Sequence, residues 1–203
     1  MYPWLPPEDP TPLQPIGLQL ALADPHPYTL YLSRPCQLLS NNKEIECPQK
    51  YWTDARFNRA VIDITNIAID RYLNSVKGKK IIIFGYSGGG AVATLVASLR
   101  KDVVGIVTVS GTLNHEAWTL HHNVSPLRDS LNPIDYATNL RKISQLHFIG
   151  EEDEIMPIKI ANSYLNNLGL NNKTNLITIR DYDHTCCWVK NWPNLLKKIN
   201  FIK

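Results

Sequence analysis

Apolar residues recur at three- and four-residue intervals between Asn58 and Val76, where Val61, Ile64, Ala68 and Tyr72 are flanked by Ile62, Ile69, Leu73 and Val76. This spacing predicts the best-defined helix of the chain. Gly78 ends it, and Lys80–Phe84 follows as a β-branched run of the kind that is buried on both faces of a parallel sheet. The alternation then continues with a helix over Ala91–Leu99, a strand over Val103–Val109, a long loop from Ser110 to Asn132 and a helix around Ile134–Leu140. Strand Gln145–Ile149, helix Ile158–Leu168, strand Asn175–Arg180 and a helix from Trp188 to Ile199, with Pro193 inside it, complete the pattern. Strands alternating with helices predict an α/β fold with a mostly parallel sheet flanked by helices.

Upstream the pattern is weaker. Six prolines in the first 15 residues exclude regular structure there, leaving an extended arm over residues 1–15. Leu18, Leu20 and Leu22 suit a short helix closed by Asp24–Pro25, Tyr28–Ser33 reads as a strand, and Asn41–Gln49 as a polar loop. No repeat divides the chain, so residues 1–203 are expected to form a single domain, with 110–132 long enough for a small lid.

Composition narrows the function classes. The 203 residues are 44% hydrophobic and 19% charged, a globular balance. A net charge of +3, with only short lysine runs at Lys77–Lys80 and Lys197–Lys198, does not suggest nucleic acid. The apolar stretches are shorter than the roughly 20 residues of a membrane span. The first basic residue is Arg34, so no secretory signal is evident and the chain as written is expected to be cytoplasmic. The four cysteines lack zinc spacing; Cys36 and Cys47 would pair only in an oxidising compartment and are expected to be reduced, and Cys186–Cys187 reads as packing. Neither cofactor nor metal is called for.

The candidate chemistry begins at Gly85-Tyr-Ser-Gly-Gly89. Gly-x-Ser-x-Gly would arise by chance in roughly one chain in fifteen of this length, so its placement matters more than the pattern. Here it stands between a buried strand and a helix, where a strained turn exposes the serine Oγ and small residues two before and two after it let the turn close. Ser87 is thus the candidate nucleophile. The N–H of Gly88, at the helix start, is the candidate oxyanion donor. A serine needs a base oriented by an acid. Gly150-Glu-Glu-Asp-Glu-Ile-Met-Pro157 puts carboxylates at a strand's C-terminal end; Asp153 is preferred, with Glu151, Glu152 and Glu154 as alternatives. His184, the sole histidine after Asp153, is the candidate base, while adjacent Asp183 is better placed to shape the loop. His26, His115, His121, His122 and His147 read as surface or packing residues; Trp118, His121 and His122 could instead line a pocket under the lid.

Gly85–Gly89, the acidic segment ending at Pro157 and the His184 loop together resemble the α/β-hydrolase fold family over about residues 16–203. More narrowly, Asp9-Pro-Thr-Pro12, Leu30-Tyr-Leu-Ser-Arg-Pro-Cys-Gln37 and Tyr51-Trp-Thr-Asp-Ala-Arg-Phe57 resemble uncharacterised bacterial members that are often lipoproteins. The resemblance implies a serine hydrolase cleaving a small-molecule carboxylic ester or related acyl compound, with Ser87, Asp153 and His184 as its triad. It also implies periplasmic or lipoprotein placement, and a plausible Cys36–Cys47 disulfide, if the true start lies upstream. Members carry a further strand and a Gly-rich oxyanion loop before the helix near Ile16. Without that strand, either a gap opens between Tyr28–Ser33 and Ile81–Phe84 or the two pair directly; the arm at Tyr2–Leu5 is a candidate substitute for the loop. A non-catalytic remnant acting as a binding protein is the alternative reading.

Overall fold

A computed structural model describes residues 7–38, 47–78, 80–169 and 173–201. The arm segment Tyr2–Leu5 and most of the polar loop Asn41–Gln49 lie outside the described residues. Four strands, β1 (Ile81–Tyr86), β2 (Val103–Val109), β3 (Ser144–Gly150) and β4 (Thr174–Ile179), form one parallel sheet in chain order. The connecting helices are α3 (Gly88–Leu99) between β1 and β2, α4 (His115–His122) between β2 and β3, and α5 (Ile158–Leu168) between β3 and β4. Helices α1 (Ile16–Leu22) and α2 (Arg59–Val76) precede the sheet and α6 (Trp188–Leu196) follows it.

Alternation along each strand sorts the core into two layers. Val107 and Val109 of β2 and Leu146 and Phe148 of β3 face α1 and α6, meeting Ile16, Leu20, Trp188 and Trp192. Ile106 and Ile149 point the other way, toward α3, α5 and a 3₁₀ stretch over Pro133–Leu140. Helix α2 packs on α3 through Ile62 and Ile69. Its buried stripe is therefore Val61, Ile62 and Ile69, while Ile64, expected on the inner face, is 54% exposed. So isoleucine-rich a helix offers two apolar stripes, and contact with α3 selects one. Asn58 caps its start by accepting from Ala60 N–H at 3.0 Å, and Lys77, not Gly78, takes the left-handed conformation at its end. The glycine is needed for space instead, since a Cβ there would lie 2.7 Å from Leu73 Cδ2.

Tyr28–Ser33 is not a strand. It crosses beside the sheet without pairing, and among the described residues β1 bonds to β2 alone. Between them lies a mainly apolar cavity of about 850 Å³, bounded by α1, α2, α3 and the free edge of β1. Of the two outcomes the resemblance implies, the gap is the one realised. Other elements also differ from expectation. Ser110–Asn132 contains helix α4, Pro133–Leu140 is 3₁₀ rather than α, α3 starts three residues early at Gly88, and α6 stops at Leu196. Both cysteine pairs are disulfide-bonded, Cys36 to Cys47 with Cα atoms 5.6 Å apart and Cys186 to its neighbour Cys187, in place of the reduced thiols expected. Among the described residues no helix is long and apolar enough to cross a membrane.

One core histidine has a thermodynamic consequence. His147 on β3 is fully buried, with Nδ1 2.8 Å from Thr108 Oγ1, its ring edge-on to Tyr164, and no hydrogen-bond partner for Nε2 among the described residues. Burial pushes its pKa down to about 4. Between pH 6.5 and 4 the unfolded chain therefore binds this proton more readily than the folded one, and stability falls as pH falls. The loss should be on the order of 3 kcal/mol across that window. Urea unfolding at pH 7 and pH 4.5 should show it, with a smaller pH effect in His147→Phe.

Candidate active site

The strand ends gather the chemistry. Ser87 leaves β1 with φ 50° and ψ −122°, a strained conformation for a residue with a side chain. Its backbone is pinned on both sides: Ser87 N–H donates to Val109 O at 2.9 Å, and Ser87 O accepts from Gly90 N–H at 2.9 Å and Thr112 N–H at 3.0 Å. Two glycines make the turn possible. A Cβ on Gly85 would lie 2.6 Å from Gly89 C, and one on Gly90 would lie 2.6 Å from Gly111 Cα. Gly89 has open space where its Cβ would be. The crowding after the serine thus falls three residues on, at Gly90, not two as the motif suggests.

His184 stands on the loop between β4 and α6, with Nε2 3.0 Å from Ser87 Oγ. Its Nδ1 is 3.0 Å from Asp153 Oδ2 and 3.1 Å from Oδ1. Asp153, on the β3–α5 loop, also accepts from Met156 N–H at 2.7 Å, and its side chain is wholly buried. Burial alone would raise its pKa strongly. The hydrogen bonds from His184 and Met156, helped by the neighbouring Ser110 hydroxyl, outweigh burial and carry it below the usual carboxylate value. Ser110 Oγ makes no well-aligned hydrogen bond among the described residues and acts on the carboxylate at close range. Glu151, Glu152 and Glu154 point into solvent, which leaves Asp153 as the acid that meets the histidine.

The histidine loop is tied down by Tyr86 and Trp188, which motif reading did not single out, and by Asp183, which it did. Tyr86 Oη donates to His184 O at 2.9 Å, and Trp188 Nε1 donates to Asp183 O and His184 O, each at 3.1 Å. Asp183 accepts from Thr185 N–H at 2.7 Å and Cys186 N–H at 2.5 Å, shaping the loop and holding its own pKa low. Gly88 opens α3, so its N–H is among the first-turn donors that have no intrahelical acceptor. The strand and Gly-rich loop of the resemblance have no counterpart among the described residues, and the cavity beside β1 stands in their place.

Over Ser87 lies a second pocket of about 130 Å³, where Arg34, Arg56, Phe57, Thr112 and Trp118 converge. Trp118 reaches it from α4 and is held by its Nε1 donating to Ile155 O at 2.9 Å. His121 and His122 do not line it; His122 Nε2 contacts the same Ile155 carbonyl. The one sequence signal for Arg34 and Arg56 was their position inside two of the three segments on which the narrower resemblance was drawn. No three His, Cys, Asp or Glu side chains converge to hold a metal among the described residues.

A parallel sheet flanked by helices, with a tight serine turn after one strand and an acid and a histidine after the last two, has the architecture of the α/β-hydrolase fold. Within it, a family model described as phospholipase/carboxylesterase matches residues 46–191, and the chain belongs to that family. No curated protein matched the sequence. Among solved structures, the esterase domain of a Rhodothermus marinus protein is similar at 18% identity and TM-score 0.53, covering 66% of this chain and 63% of that one. A monoacylglycerol lipase of Paleococcus ferrophilus aligns at 14% identity and TM-score 0.51, over 68% of this chain and 74% of its own. The Pyrococcus horikoshii acylaminoacyl peptidase gives 14% identity and TM-score 0.59, over 71% of this chain and 28% of its own. At these identities the likeness is one of fold, and the chain spans less than two-thirds of the first of these structures.

Proposed function

We propose that the protein is a serine hydrolase that cleaves small carboxylic esters through an acyl-enzyme. The observation that carries the reading is the continuous contact from Asp153 through His184 to Ser87 Oγ. Asp153, ionised, accepts from Nδ1–H and so leaves Nε2 as the acceptor facing the serine. His184 takes the Ser87 proton as Oγ attacks the carbonyl carbon, then returns it to the leaving alcohol. The developing oxyanion is met by Gly88 N–H at the positive end of α3. Water repeats the sequence on the acyl-enzyme, with His184 again as base.

The unpaired edge of β1 favours a second reading, a binding protein that keeps the elbow without turnover. One experiment separates them. A fluorophosphonate probe should label the purified protein at Ser87, and Ser87→Ala and His184→Ala should abolish labelling. A folded chain that stays unlabelled would sink the hydrolase reading and leave the binding one.

A further inference from the structure

The two arginines above Ser87 lack the partner their surroundings call for. A Cβ on Gly88 would lie 3.7 Å from Arg34 Nη1, so one guanidinium sits beside the N-terminus of α3. Arg56 donates from Nε to Thr53 O at 2.6 Å, which fixes its fork at the pocket wall. Burial pushes both pKa values down, Arg34 to about 10, and the charge of Arg56 depresses Arg34 further. Neither forms an ion pair among the described residues. Tyr31 and Asp54 face them, but Asp54 acts on Arg56 only through space. Arg100 shows the contrast: its side chain, 9% exposed, is held by both Asp70 and Asp102.

Charges withdrawn from water are ordinarily paired, and bringing two like charges together is costlier still. The guanidinium fork fits a carboxylate, with two parallel N–H donors. We propose that Arg34 and Arg56 bind a carboxylate of the substrate, so that the preferred substrate is a short acidic ester whose anionic group lies within a few atoms of the scissile carbonyl. The pocket of about 130 Å³ has room for a group of that size. A single developing oxyanion, already met by Gly88 N–H, would not balance two cations; a stable full charge does so before and during the reaction. This inference rests on the hydrolase reading of the same pocket.

The test compares mono-4-nitrophenyl glutarate with 4-nitrophenyl valerate, esters of equal chain length differing by the terminal carboxylate, each corrected for spontaneous hydrolysis. The wild type should favour the glutarate ester about tenfold or more in kcat/KM, and Arg34→Gln or Arg56→Gln should lower that ratio about ten- to hundredfold. Arg34→Lys and Arg56→Lys, which keep the charge and lose the fork, should fall between. No preference in the wild type, or an equal loss on both esters, would overturn the proposal. A binding arm needs no turnover: glutarate should raise the Tm of Ser87→Ala protein saturably and not that of the Arg34→Gln, Ser87→Ala double variant. Glutarate binding in a protein that resists the fluorophosphonate would remove the hydrolase reading and leave the arginine site standing; absence of binding in folded Ser87→Ala protein would remove the site.

Discussion

Replacing Asp153 with asparagine should lower kcat about 10⁴-fold while leaving KM and Tm nearly unchanged. The carboxylate accepts from His184 Nδ1 and Met156 N–H, and the near-isosteric amide keeps the second bond by turning its oxygen toward Met156. Its NH₂ group would then face the imidazole. Nδ1 becomes the acceptor, the ring proton moves to Nε2, and Ser87 Oγ meets a donor where it needs an acceptor. Losses in Asp153→Asn and His184→Ala should be far from additive in the double variant, because in the proposed mechanism both act on one proton relay. Steady-state kinetics on a 4-nitrophenyl ester, with the fluorophosphonate rate as a second readout, would check this. A loss below tenfold in Asp153→Asn would mean that another acid orients the base.

Gly150→Ala should be the most destabilising single methyl addition near the site. Gly150 ends β3 where the loops carrying Asp153 and His184 come together, and an added Cβ would press on Tyr182 O, with Tyr182 C at 2.7 Å and Asp183 O at 3.0 Å. Those are backbone atoms, so no rotamer change relieves the overlap. Tyr182 O is also the acceptor for Glu152 N–H, so the clash breaks the bond joining the acid loop to the histidine loop. A loss of about 2–4 kcal/mol is expected, with turnover reduced further than Tm alone explains as His184 is displaced from Asp153. Urea denaturation and kcat for the same preparation separate the two effects. A substitution that leaves both unchanged would mean that the loops are free to part.

What the sequence made legible follows from how local each signal is. The β1–elbow–α3 unit was readable because a buried strand, a strained serine and a helix start are adjacent, so neighbours in sequence are neighbours in space. The parallel sense of the four sheet strands likewise follows from a strand–helix alternation, whereas their order is set by which edges pack together. Tyr28–Ser33 shows the limit: alternation makes a segment fit to be a strand, but pairing needs an edge within reach, and the cavity holds it away from β1. Asp153 was preferred over Glu151, Glu152 and Glu154 at the sequence level with the alternatives left open, and burial is what sets it apart in the structure, since the three glutamates are exposed. Helix α4, inside the stretch expected to be a loop, carries a local signal at its start, where Asn114 Oδ1 accepts from Ala117 N–H. Arg34 and Arg56 reach Ser87 across 53 and 31 residues of chain, a distance over which no spacing rule acts.

The open side of β1 carries a consequence for the way the strand leading to Ser87 breathes. The register is regular from Ile82 to Tyr86, past a shift after Ile81, and Ser87 N–H donates to Val109 O, so the alternation of a parallel ladder sends the N–H groups of Ile83 and Gly85 the same way. Those of Ile82, Phe84 and Tyr86 face the cavity. In deuterium exchange, odd and even amides of this one strand should separate into slow and fast sets, although all six lie in the same element. Ser87 thus stands at the end of a strand clamped along one side only, and its fixed position depends on the bonds to Val109, Gly90 and Thr112 at the turn itself.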